Sequence, residues 1–200
     1  GNIFGSAVNV GSVSYHTPSI ELPMGVTLSA AADYDPNANV AQVSAGSVGG
    51  DAASGEAYVV KIAHESGLTL GGGNMKVANT AARQGESAAT GYAKYSNGGL
   101  TVGYQEFYYN APSAGADTDG SGYALAYTAG DVTISYSVMD EQTNAIGSTA
   151  ALEEEEVSAF QAAYTMGGMT LAASLYEADN VEGVAGVKYE ETELSVSFAF

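Results

Sequence analysis

The 200-residue chain has no cysteine and no tryptophan, and it carries 5 Lys and Arg against 23 Asp and Glu. Without cysteine there are no disulfides, no thiolate nucleophiles and no cysteine-based zinc sites. The same absence suits an oxidising exterior as well as a cytoplasm, so it leaves the compartment open. The scarcity of cations, at a formal net charge of -18, removes nucleic acid from the partners, because phosphate neutralisation needs clustered Lys and Arg. Long apolar runs are missing too. Hydrophobic residues make up 46% of the chain, yet no stretch approaches the roughly 18 consecutive apolar residues that a membrane helix needs. The opening Gly1-Asn2-Ile3-Phe4-Gly5 has neither the basic start nor the apolar run of a secretory signal, which is read as a cleaved signal or a start within a longer protein. His16 and His64 are the only histidines, each at the expected end of a strand. There is no Gly-x-Ser-x-Gly, no His-x-x-x-His and no phosphate-cradling loop, so no enzyme is expected.

What is present is alternation. The chain ends on Leu194-Ser195-Val196-Ser197-Phe198-Ala199-Phe200, where apolar and small residues alternate to a terminal aromatic. Period-two patterning gives a strand with one apolar and one polar face. An apolar face that runs to the last residue suits the closing strand of a transmembrane β-barrel, with the aromatic at the membrane interface; a soluble edge strand is the alternative. The same pattern recurs in Val132, Ile134, Tyr136 and Val138 against Thr133, Ser135 and Ser137, and again around Leu171 and Tyr123. About eleven strands are expected, near 8–16, 24–34, 56–65, 68–78, 87–96, 99–109, 121–129, 131–140, 154–165, 168–178 and 187–200. A chain can be apolar on average without a membrane helix if every second residue is apolar, which is how a barrel crosses lipid.

The connections carry more information than the strands. Glu65-Ser66-Gly67, Ser96-Asn97-Gly98-Gly99, Ala129-Gly130-Asp131 and Met166-Gly167-Gly168 read as tight hairpin turns. Between them lie longer polar stretches at 35–55, 78–86, 110–120, 141–153 and 179–186. Short and long connections alternate strictly, so all long loops belong at one end. A β-sandwich has no reason for this, whereas an outer-membrane barrel has short periplasmic turns and longer extracellular loops.

The stretch Tyr164-Thr165-Met166-Gly167-Gly168-Met169-Thr170-Leu171-Ala172-Ala173, followed by Leu194 to Phe200, resembles the end of alphaproteobacterial general porins. Ser14-Tyr15-His16-Thr17-Pro18-Ser19 and Gly98-Gly99-Leu100-Thr101-Val102-Gly103-Tyr104 are similar in style to marine members. The resemblance covers most of the chain through short, degenerate strand motifs. It implies a sixteen-stranded homotrimer in the outer membrane with a constricting loop in each channel. It also implies passive diffusion of small hydrophilic solutes, and lipid or lipopolysaccharide as surroundings. At about twenty residues per strand with its loops, this length falls short of sixteen strands. The expectation is an all-β single domain over 1–200, the C-terminal part of a larger porin, with 1–8 as the tail of the constriction loop. A complete ten- or twelve-stranded barrel is the alternative.

A charge on the lipid face at mid-membrane costs roughly 2–4 kcal/mol, so strand cations belong inside. Lys61 lies opposite in parity to Tyr58, Val60 and Ile62, and Lys94 stands between Ala93 and Tyr95. By the same parity Gln105 and Gln161 point inward, against Tyr104 and Phe160. Lys76 and Arg83 fall nearer the mouth. The resemblance makes Lys61, Lys94 and Arg83 candidates for a basic row facing an acidic constriction loop. Tyr15, Tyr95, Tyr109, Tyr127 and Tyr164 fit interfacial girdles or ordinary packing. Asp117-Thr118-Asp119-Gly120 is the one metal-like string, with Asp117 and Asp119 as candidate calcium ligands in an extracellular loop, although no acidic residue completes the loop pattern. The Glu153-Glu154-Glu155-Glu156 run reads as a solvated loop edge, or as a divalent-cation bridge to lipopolysaccharide or a neighbouring subunit. The competing function is a structural or adhesive cell-surface β-protein whose acidic loops bind calcium.

Overall fold

The computed structural model describes residues 13–38, 53–77, 86–111, 116–145 and 152–198. The strands are β1 (Val13–His16), β2 (Ile20–Leu22), β3 (Val26–Ala38), β4 (Ala53–His64), β5 (Leu68–Val77) and β6 (Ser87–Asn97). They continue as β7 (Leu100–Asn110), β8 (Ala116–Ala129), β9 (Val132–Ala145), β10 (Glu155–Met166), β11 (Met169–Asp179) and β12 (Lys188–Phe198). All belong to one antiparallel sheet in which each strand from β3 onward pairs with the next in sequence. Among the described residues no helix is long and apolar enough to cross a membrane, which says nothing about strands.

β1 and β2 both pair with β3 and are two halves of one strand, interrupted at Pro18. Proline lacks the N–H that a ladder needs. Thr17 bridges the break: its N–H donates to the Ala30 carbonyl at 2.9 Å, and its hydroxyl accepts from the Ala30 N–H at 2.8 Å. The path β1-β3-β4-β5-β6-β7-β8-β9-β10-β11-β12 therefore has eleven positions, the number the alternation predicts. β1 and β12 stand at opposite ends of that path and do not pair with each other.

The tight turns share one edge, and their backbones show it directly. The Glu65 N–H donates to the Gly25 carbonyl, Ser96 to Gly67, Thr128 to Gly99, and Thr165 to Asp131, all at 2.9–3.0 Å. Each turn is thus tied to the hairpin that follows. Hydroxyl pairs straddle three of these turns: Ser96 with Thr101 at 3.0 Å, Thr128 with Thr133 at 2.9 Å, and Thr165 with Thr170 at 3.2 Å. Gly67 has φ +97° and sits so close to the next hairpin that a Cβ would lie 1.9 Å from the Ser96 carbonyl oxygen. A further turn at Pro23–Gly25, a single 3-10 turn between β2 and β3, belongs to the same edge. The alternation predicts a connection over 17–23, and Pro23-Met24-Gly25 is the local signal for the tighter turn.

The strands also run further toward the loop end than the alternation suggests. β8 begins at Ala116 instead of near 121, β9 continues to Ala145 instead of 140, and β3 reaches Ala38. Apolar alternation reports which residues meet an apolar medium, whereas backbone pairing continues wherever two extended chains remain side by side. Asp117 and Asp119 are consequently strand residues, which corrects their placement in a loop. Glu155 and Glu156 likewise lie in β10. The Glu155 carboxylate accepts from the Glu182 N–H at 2.9 Å, and Glu153 donates to the Gly183 carbonyl at 3.0 Å, so the glutamate run anchors the β11–β12 connection.

Candidate channel wall

Residues directly opposite in paired strands project to the same side of a sheet, so register assigns every side chain to a face. Lys61 is opposite Gly71, Gly71 opposite Tyr92, Tyr92 opposite Gln105, Gln105 opposite Gly122, and Gly122 opposite Met139. Lys94 follows two residues after Tyr92 and shares that side. Gln161 is opposite Ser135, which continues through Ala126 and Thr101 to Ser96, two residues from Lys94. Lys61, Lys94, Gln105 and Gln161 therefore stand on one face, together with Thr133, Ser135, Ser137 and Ser195. The other face carries Val60, Ile62, Tyr104, Ile134, Phe160 and Val196.

The two faces differ in access as well as polarity. Along β7, Leu100, Val102, Tyr104, Glu106 and Tyr108 are exposed, while Thr101, Gly103, Gln105, Phe107 and Tyr109 are half-buried. β11 repeats this, with Leu171, Ala173, Leu175 and Glu177 exposed and the residues between them less so. A curved sheet crowds the side chains on its concave side, so the lysine-bearing face is the inner one. On the convex face large apolar side chains stand well exposed: Leu194 is 71% exposed, Phe198 60% and Tyr123 52%.

The convex face is banded along the strands. Tyr95, Tyr127 and Tyr164 lie on it near the turns, opposite Val102, Leu100 and Leu171 respectively. Toward the loop end the apolar residues give way to a row of carboxylates, in which Asp140 lies opposite Ser121 and Glu156, and Glu156 opposite Asp179. The span Val132–Asp140 rises about 20 Å if strands advance about 3.3 Å per residue and tilt by about 40°. Tyrosines meet this acidic rim: Tyr104 donates to Glu106 at 2.7 Å and Tyr58 to Glu56 at 3.1 Å. Tyr109, grouped with the girdle tyrosines from sequence, instead lies on the concave face and donates to Glu86 at 2.9 Å.

The concave face carries hydrogen-bonded polar side chains. Gln161 donates to Tyr176 at 2.9 Å and Gln105 to Thr90 at 2.9 Å. Lys61 and Lys94 are separated by β5 alone, where Gly71 and Thr69 are opposite them. Among the described residues neither lysine joins an ion pair, whereas Lys188 pairs with Asp179 at the loop end of the convex face. Arg83 and the expected loop tail at 1–8 lie outside the described residues. Lys76 is in β5 opposite Glu56, on the convex side.

Asp117 accepts from the Ala111 N–H at 3.1 Å, and Asp119 accepts from the Asn144 side-chain amide at 3.1 Å. Among the described residues no group of three or more His, Asp or Glu is placed to hold a metal ion.

No family model matches the chain, and no curated protein does. Six chains among solved structures match it. One of these is a porin refined at 1.8 Å, with a TM-score of 0.64 at 16% identity, covering 94% of this chain. The chain spans 60% of the length of that porin. An all-β antiparallel sheet with one apolar and one polar face is thus similar in fold to a porin barrel wall.

Proposed function

We propose that the chain forms part of the wall of an outer-membrane porin, a water-filled channel for passive diffusion of small hydrophilic solutes and ions. The observation that carries this reading is the segregation of faces: exposed large apolar side chains on the convex side, and Lys61, Lys94, Gln105, Gln161 and a series of Ser and Thr hydroxyls on the concave side. In water such a convex face is unfavourable, since each large apolar side chain left exposed forgoes about 1.5–3 kcal/mol of burial. In lipid it is solvated, and pairing between neighbouring strands supplies the backbone hydrogen bonds that lipid cannot. The reading needs no catalytic group and no cofactor. Its finer form follows the resemblance at the strand motifs, to a general porin of the alphaproteobacterial type working as a homotrimer among lipopolysaccharide. The free edges of β1 and β12 would then be covered by further strands, because open edges are not viable in lipid.

The test is reconstitution of the whole polypeptide into planar bilayers and into liposomes. Stepwise ohmic conductance and liposome swelling by small sugars support the channel. A detergent-free, monodisperse protein that adds no conductance and shifts its melting temperature with calcium would favour the adhesive cell-surface reading instead.

A further inference from the structure

The concave wall formed by β5–β9 is not uniformly polar. A trough of about 910 Å3 runs along it, and Met75, Tyr92, Phe107 and Met139 are among the residues that line it. Two of these are rings seated over glycine. A Cβ at Gly71 would fall 2.5 Å from the Tyr92 ring, and a Cβ at Gly120 would fall 2.6 Å from the Phe107 ring. The rings are therefore held against the wall with a face turned to the trough. Met75 and Met139 flank them, and a thioether beside an aromatic ring is an adaptable apolar contact.

Charge is ordered along the same face. On the turn side, Lys94 follows two positions after Tyr92, and Lys61 faces Tyr92 across Gly71. On the loop side, Glu86 and Glu141 line the trough. Glu86 is only 3% exposed and is fixed by the Tyr109 hydroxyl at 2.9 Å. An anion on this face is thus repelled toward the loop end and attracted to Lys61 and Lys94, beside the apolar shelf of the Tyr92 ring.

We propose that the turn side of this face is a binding patch for aromatic carboxylates, held with the carboxylate at Lys61 and Lys94 and the ring against Tyr92, which lies over Gly71 between the two lysines. The assignment rests on the channel reading, since only a water-filled lumen brings such a solute to this face. Two cations separated by one strand match a single carboxylate. Ring centroids 4.5–7 Å apart suffice for an aromatic contact, and Tyr92 is the next inward residue along β6 from Lys94. A carboxylate without a ring gains only the lysines. A ring without a carboxylate gains only the shelf. The patch therefore discriminates by requiring both.

The experiment is single-channel recording with 3-phenylpropionate, propionate and 3-phenylpropanol added in turn. The expected result is transient current block by 3-phenylpropionate at a concentration about tenfold lower than by either of the others. Lys61→Gln with Lys94→Gln should reduce its potency to that of 3-phenylpropanol, and Tyr92→Ser to that of propionate, with conducting steps in both variants reporting intact barrels. Conducting steps with equal block by all three solutes would overturn the patch while leaving the channel standing. Absence of conducting steps would overturn both.

Discussion

The ring of Tyr92 on β6 lies across Gly71 on β5, close enough that a Cβ on Gly71 would come within 2.5 Å of two ring carbons and 2.7 Å of the hydroxyl. The contact is between a backbone without a side chain and the far end of a mobile one, so the ring can yield. Gly71→Ala is expected to lift Tyr92 off the wall into the lumen. Single-channel conductance should fall, while the stability cost stays near the roughly 1–3 kcal/mol typical of an added methyl in a packed site. Conductance recording alongside urea unfolding in detergent checks both halves. A large loss of stability with unchanged conductance would show that Tyr92 does not face the pore.

The turn edge makes a different demand. Gly67 has φ +97° and a Cβ there would meet backbone at 1.9 Å, whereas Gly130, at φ +56°, has open space around the equivalent position. Gly130→Ala should cost only the left-handed strain, about 1–2 kcal/mol. Gly67→Ala should cost at least about 3 kcal/mol, because the Ser96–Gly67 backbone bond must also open. Comparing the two variants by urea unfolding in the same detergent separates these outcomes. Equal losses would mean that the hairpins are not laced to one another as described.

Ion selectivity is expected to be weakly cationic. The chain has a net charge of -18, but several carboxylates at the loop end, among them Glu106, Asp140, Glu156 and Asp179, stand on the convex face, away from the lumen. Inside, Lys61 and Lys94 oppose the carboxylates of Glu86 and Glu141. Replacing both lysines by Gln should strengthen cation preference, read as a larger reversal potential under a salt gradient. The preference should fade as salt rises and the Debye length falls below its roughly 8 Å at physiological strength. Marked anion selectivity in the unaltered protein, or no change in the double variant, would place these lysines elsewhere than in the conducting path.

Much of this wall was legible in the chain because a barrel strand repeats one rule. The parity that sets Lys61 against Val60 and Ile62, and Ser135 against Ile134 and Tyr136, is the parity that the pairing shows. Glycine turns at Gly67, Gly98, Gly130 and Gly167 were visible because a hairpin turn needs positive φ at such positions. Strand ends were less legible. Near Asp117 and Asn144 both faces are polar, so alternation vanishes while backbone pairing persists, and two candidate calcium ligands became ladder residues. The seat of Tyr109 against Glu86 was not legible because an aromatic at a strand end suits either an interfacial girdle or a polar partner on the inner face. The aromatic trough was hidden for another reason. Tyr92, Phe107 and Met139 come from three strands, and only register brings them to adjacent levels of one face.

The central claim is that the concave face lines water and the convex face meets lipid. A chain with no cysteine allows this to be tested one residue at a time. Single replacements Ile134→Cys, Ser135→Cys, Tyr136→Cys and Ser137→Cys along β9 would be reconstituted in planar bilayers and treated with a charged, membrane-impermeant thiol reagent. Current through Ser135→Cys and Ser137→Cys channels should drop stepwise on labelling, and current through Ile134→Cys and Tyr136→Cys channels should not change. The reverse pattern, or block at all four positions, would contradict the assignment of faces and with it the channel.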